Sequence, residues 1–155
     1  MVAPVDPNLL GAGYRVEDDD VMGEQGLRLV LEQWTTGERA RQAAAGWGGD
    51  ALALVRCAGC GGGDAYAAVW RLVFDTERDA NEVADLLRDR FGARCRERGD
   101  LGPIAWRQQG ARVVLVAGPH VRTTTGVKPG ATCAAAERWS AALVQEGASR
   151  AGSRE

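Results

Sequence analysis

The sequence predicts an α+β fold: a largely antiparallel four-stranded sheet, made of two hairpins each followed by a helix and covered by helices. Three observations carry this. Apolar stretches of strand character come in adjacent pairs, at about 50–57 with 66–74 and about 104–108 with 111–117. Each pair is joined by glycine-containing chain and followed by a segment of helical period. Such a chain lays helices on one sheet, whereas a doubly wound parallel sheet needs helices alternating with single strands.

The elements follow in order. Residues 1–19, rich in Pro, Gly and Asp, read as a flexible lead-in in which only Tyr14 and Val16 have reason to pack. Asp18, Asp19 and Asp20 stand where a helix should start, which suits the positive end of its dipole. A calcium loop would alternate its carboxylates, and these three are adjacent. Leu27, Val30, Leu31 and Trp34 mark the apolar face of a first helix over 21–34. Thr35 and Glu38 form a capping-box pattern for a short second helix to Ala45, with Ala40, Ala43 and Ala44 as its packing face. Gly46-Trp47-Gly48-Gly49-Asp50 then turns the chain into the first strand; tandem glycines permit a sharp turn, and Asp50 can brace it.

The first hairpin closes through Ala58–Asp64, five of whose middle residues are Gly or Cys. Asp75 or Thr76 caps a helix over 77–91 whose face is Ala80, Val83, Ala84, Leu87 and Phe91, and Gly92 ends it. The second hairpin turns at Gln109-Gly110, and 118–130 reads as a loop carrying His120. A last helix over 132–146 presents Ala135, Trp139 and Leu143. The domain spans 20–147, with 148–155 as a disordered tail. Trp47, Leu54, Val69, Leu72, Val83, Leu87, Val114 and Trp139 are expected to share one core.

Composition narrows function. The 155 residues suit one domain, and 45% hydrophobic with 26% charged residues is ordinary for a soluble globule. A net charge of −2 gives no bulk attraction to nucleic acid or acidic membranes, so no nucleic-acid partner is expected. No apolar run approaches the ~20 residues that cross a bilayer, so no transmembrane segment is expected. All basic residues but Lys128 are arginines, a bias that fits a GC-rich genome. The first residues lack the basic and apolar regions of a signal peptide, which fits a mature chain from which that segment has been removed.

Candidate chemistry is thin. Cys57-x-x-Cys60 sits in a hairpin loop, not at a helix start where a dipole would stabilise a redox thiolate. A zinc site on Cys57 and Cys60 would need ligands from Cys95, Cys133 or His120, which lack a second paired spacing. The four cysteines allow three disulfide connectivities. His120 is the only histidine, and no nucleophile elbow, H-E-x-x-H or phosphate-loop pattern accompanies it. The acids Asp75, Glu77, Asp79, Glu82 and Asp85 are interleaved with arginines, as on a solvated helix rather than across a sugar cleft. Five tryptophans are many for this length; most should fill space between helices and sheet, while Trp47 and Trp70 with Asp50 and His120 are the ligand-binding candidates.

Gly23-x-x-Gly26-Leu27-Arg28, Ala44-Ala45-Gly46-Trp47-Gly48-Gly49-Asp50 and Val69–Ala80 together resemble a loose family of uncharacterised bacterial and archaeal proteins, often secreted or lipid-anchored. Its pattern is a helix, a GWGGD-like turn, a strand and a W-D-x-x-x-D-A strand-to-helix junction; here Phe74 replaces the tryptophan and Ala51 replaces a basic residue. The resemblance implies an extracytoplasmic protein and carries no activity. With the even cysteine count it leads to the expectation of Cys57–Cys60 and Cys95–Cys133 disulfides. The resulting expectation is a non-enzymatic cell-envelope binding or accessory domain, without cofactor or metal, whose partner is an envelope protein or glycan. The alternatives are a metal-binding module using Cys57 and Cys60, and an enzyme with its site between the first hairpin and His120.

Overall fold

The computed structural model describes residues 2–93, 95–97, 103–129 and 133–146. Among these residues seven strands form one antiparallel sheet: β1 (Tyr14–Asp20), β2 (Trp47–Cys57), β3 (Asp64–Phe74), β4 (Cys95–Glu97), β5 (Pro103–Gln109), β6 (Arg112–Thr123) and β7 (Gly126–Pro129). Their order is β1-β2-β3-β6-β5-β4, with β7 pairing β6 beyond the end of β5. Four α-helices accompany them among the described residues: α1 (Gly23–Glu32), α2 (Gly37–Ala44), α3 (Glu77–Phe91) and α4 (Cys133–Gln145).

Alternation along the strands makes two cores, one on each face of the sheet. Trp70, Leu72, Phe74, Trp106 and Val113 point to α1, α2 and α3, meeting Leu27, Leu31, Ala43, Val83, Leu87 and Phe91. Ala53, Val55, Val69, Val114 and Val116 point the other way, to Trp139 and Leu143 of α4 and to Val5 and Leu10 near the N-terminus. The second core is possible because β2, β3 and β6 are apolar on both faces, as strands covered on two sides must be.

Local chemistry fixes the helices. Thr76 and Asp79 form a reciprocal capping box at the start of α3, and Gly92 at φ 84° ends it. The α2 cap is Thr36, one residue beyond the expected Thr35, with its hydroxyl accepting from the Arg39 N–H. Both disulfides join the expected partners, Cys57 with Cys60 and Cys95 with Cys133, at Cα separations of 5.6 and 5.9 Å. The second ties β4 to the first turn of α4, so it fastens a sheet edge to the layer above it.

The structure corrects several expectations. The sheet has seven strands rather than four, because β1, β4 and β7 add edges that carry too few apolar residues to stand out. Most of the expected lead-in is ordered: a 3-10 turn covers Pro7–Leu10, and Tyr14–Asp20 is β1. Asp18, Asp19 and Asp20 therefore belong to a strand paired with β2, not to a helix start. Gly48-Gly49 is a β-bulge inside the β2–β3 ladder, with Gly49 at φ 155°, rather than a turn before the strand. His120 lies in β6 opposite Tyr66, since residues 118–129 of the expected 118–130 loop are a continuing strand and hairpin. Seven of the eight expected core residues divide between two cores, Trp47 being half-buried against the first, while Leu54 belongs to neither and is 40% exposed. The expected disordered tail, 148–155, lies outside the described residues.

Candidate functional site

The structure brings three of the four candidate ligand residues together, as a buried hub. Asp50 is 3% exposed on β2. One carboxylate oxygen accepts from the Gly23 N–H at 2.9 Å and Trp47 Nε1 at 3.0 Å; the other accepts from the Met22 N–H at 2.9 Å and Trp70 Nε1 at 2.8 Å. No side chain of α1 caps its own N-terminus, so Asp50 does so from the sheet. The negative charge faces the positive end of the helix and is satisfied by four donors. Gly46 permits the neighbouring junction: a Cβ there would overlap the Asp79 side chain that caps α3, while the Gly46 carbonyl accepts from the Asp75 N–H at 2.9 Å. The Trp-Gly-Gly-Asp segment thus pins α1, the start of β2 and the entry to α3 to one point.

His120 stands apart from this hub, on a different surface. Register places residues directly opposite one another on one face, so rows can be read across the sheet. The row Leu52, Trp70, Leu115 and Trp106 lies under the helices. The next row outward is Asp18, Leu54, Ala68, Ala117 and Ile104 on the same face. Beyond it come Arg56, Tyr66 and His120. Among the described residues of these two outer rows only Ile104 packs on the helical core, and Leu54 is exposed beside two half-buried residues, Leu52 along its strand and Ala68 across from it in its own row. Among the described residues no helix covers this strip of sheet, which has an apolar floor, an acidic edge and an aromatic and basic border. A hollow of about 300 Å³ opens there, its wall made by Asp18, Asp20, Leu52, Leu54 and Ala68.

The border is held by charge. Arg56 donates to Asp64 at 2.8 Å, stands 3.6 Å from Glu17, and lies 5.8 Å from the centre of the Tyr66 ring. The hydrogen bond from Arg56, then that from the Gly59 N–H, holds the Asp64 carboxyl below its usual range. Burial pushes the His120 imidazole below its ordinary value, and its buried Nδ1 has no hydrogen-bond partner. Among the described residues no carboxylate bonds that Nδ1, the contact that orients the general base of a serine hydrolase. Among the described residues no three His, Cys, Asp or Glu side chains are grouped to hold a metal. Also among them, no helix is long and apolar enough to cross a membrane.

Sequence reasoning missed Tyr66 and Arg56. The signal was present: Tyr66, Ala68 and Trp70 share a strand parity, and the small Ala68 marks where helical cover stops. Fold and site define an α+β protein whose antiparallel sheet is only partly covered on one face. The chain matches the DUF8575 family, a domain of unknown function, over residues 12–128, and belongs to it. Comparison with curated proteins and with solved structures finds no match. The family match begins just before β1 and ends in β7, so it takes in the Asp50 hub and the uncovered strip but not α4.

Proposed function

We propose that this protein is a non-enzymatic binding or accessory domain of the cell envelope, outside the cytoplasm, and that the uncovered strip is its contact surface. The observation that carries the reading is the strip itself: exposed Leu54 beside Ala68, bordered by Tyr66, Arg56 and His120. An exposed apolar residue flanked by an aromatic ring and a guanidinium suits a protein or glycan surface. Both cysteine pairs are joined, which favours an oxidising compartment and leaves Cys57 and Cys60 no thiolate for a metal. Trp47, Asp50 and Trp70 then act in this reading as the scaffold that fixes the strip, and His120 as a residue of its border.

Two measurements test it. Alkylation of thiols in intact cells, before lysis, should find all four cysteines protected until reductant is added. Sedimentation with an isolated cell-envelope fraction should retain the parent protein and lose Leu54→Lys and Tyr66→Ala, whose melting should stay near the parent's because neither position is in a core. Free thiols in cells, or variants retained like the parent, would overturn the reading.

A further inference from the structure

On the opposite face of the β1–β2 edge, the chain builds a second hollow, of about 500 Å³. Its lining is aliphatic: Val2, Pro4 and Val5 of the N-terminal strap, Val16 of β1, Val21 just after it, and Ala51, Leu52 and Ala53 of β2. The polar groups in the lining are Asp19 and Asp20. Register sets Asp19 opposite Ala53, hence on this face, and Asp19 is exposed at the rim. A pocket of this size lies in the range that takes a small organic ligand.

The strap is fixed in place. Arg71, 6% exposed on β3, donates to the carbonyls of Ala3 at 2.8 Å and Pro4 at 3.4 Å, and also to the Glu146 carbonyl at 3.1 Å. Val2 reaches over the bulge, where a Cβ on Gly49 would meet its Cγ2 at 3.0 Å. Arg71 also pairs with the Glu146 carboxylate at 3.4 Å, so one buried, compensated charge fixes the position of the strap against the end of α4. Here that position supplies one wall of the hollow.

We propose that this hollow binds a small amphipathic cation, an aliphatic chain carrying an amine or quaternary ammonium head. The aliphatic walls take the chain, and Asp19 at the rim takes the head. Among the described residues no basic side chain lines the hollow, and the guanidinium that holds the strap, Arg71, is occupied by the strap carbonyls, so an anionic head would meet the Asp19 carboxylate with no free counter-charge. The ring-free lining also favours an alkyl chain over a flat aromatic, which would want a stacking partner. This hollow shares Asp19, Asp20, Leu52 and Ala53 of the sheet edge with the first one, but the proposal does not rest on the function of the strip.

The test uses n-octyltrimethylammonium below its micellar concentration, with octanesulfonate and octyl glucoside as chain-matched anionic and neutral probes. Calorimetry should give one site for the ammonium, and methyl NMR shifts should centre on Val2, Val5, Val16 and Val21. Asp19→Asn should weaken binding about five-fold, the scale of one exposed charge pair. Ala51→Leu, which grows a side chain into the hollow, should abolish it; circular dichroism confirms that each variant is folded, and Ala53→Val serves as a second filling variant. Equal binding of the three probes, shifts centred elsewhere, binding unchanged by filling the hollow, or no binding would each overturn the proposal.

Discussion

Replacing Asp50 by Asn tests whether the central aspartate holds the architecture or waits for a ligand. The change keeps shape and removes one acceptor oxygen. In the native hub each oxygen accepts from two donors, a backbone N–H of the α1 start and a tryptophan Nε1, at 2.8–3.0 Å. An Asn carbonyl can keep one pair, but its NH₂ then faces the other pair donor to donor. Two donors are left unsatisfied in a largely dry place, at about 1–3 kcal/mol each, and the charge opposite the helix dipole is lost as well. The sum is about 3–5 kcal/mol, which for a domain of this size lowers the melting temperature by roughly 6–20 °C. Urea unfolding followed by circular dichroism gives the free energy, and hydrogen exchange at Met22 and Gly23 reports the α1 cap directly. A variant within about 0.5 kcal/mol of the parent, with unchanged exchange at those amides, would refute the hub as a source of stability. It would return Asp50 to the ligand-binding candidates.

Other outcomes follow from the same geometry. Cys133→Ser opens a cross-link spanning 38 residues and should cost about 4 kcal/mol, against about 2 for Cys60→Ser, in the chain-entropy account; urea unfolding of each variant measures the difference. Gly46→Ala drives a methyl into the Asp79 side chain and should cost about 1–3 kcal/mol, seen with weakened protection of the first α3 amides. His120 is neutral more readily folded than unfolded, so stability contributed by its low value is complete above the unfolded pKa near ~6.5 and falls as pH drops below it. Unfolding free energies at pH 7.5 and 5.5 should therefore differ less in His120→Gln than in the parent.

The strong periodic segments of the chain were legible because their signals are local. The α3 helix lies at 77–91 as expected, since a cap, a face of Ala80, Val83, Ala84, Leu87 and Phe91, and a terminal glycine all agree. The two central hairpins were legible for the same reason. β1 was not: Tyr-Arg-Val-Glu-Asp-Asp-Asp has a strand's alternation for three residues and then three acids, which local propensity assigns to a turn or helix start. Its pairing with β2 overrides that preference, and the acids are tolerated because an edge strand keeps one margin in water. Charge along such an edge also discourages pairing with a second copy.

The site was legible as residue types and illegible as geometry. Trp47, Asp50 and Trp70 stand out by type, yet whether they bind a ligand or one another depends on a cross-strand register that puts Leu52 opposite Trp70 and leaves both indole N–H groups aimed at Asp50. Periodicity cannot supply that register, because the bulge at Gly48-Gly49 shifts it by one residue. The same shift is what the two glycines provide. Without it, Asp50 would change faces relative to Trp47, and its carboxylate would leave the N-terminus of α1. The bulge therefore links the most conspicuous motif in the sequence to the placement of the first helix. Gly49→Val tests that link at a backbone angle, φ 155°, that a β-branched residue rarely adopts. It should destabilise the fold by about 1–3 kcal/mol and loosen the Met22 and Gly23 amides along with it. Loss of stability with those amides still protected would separate the bulge from the hub.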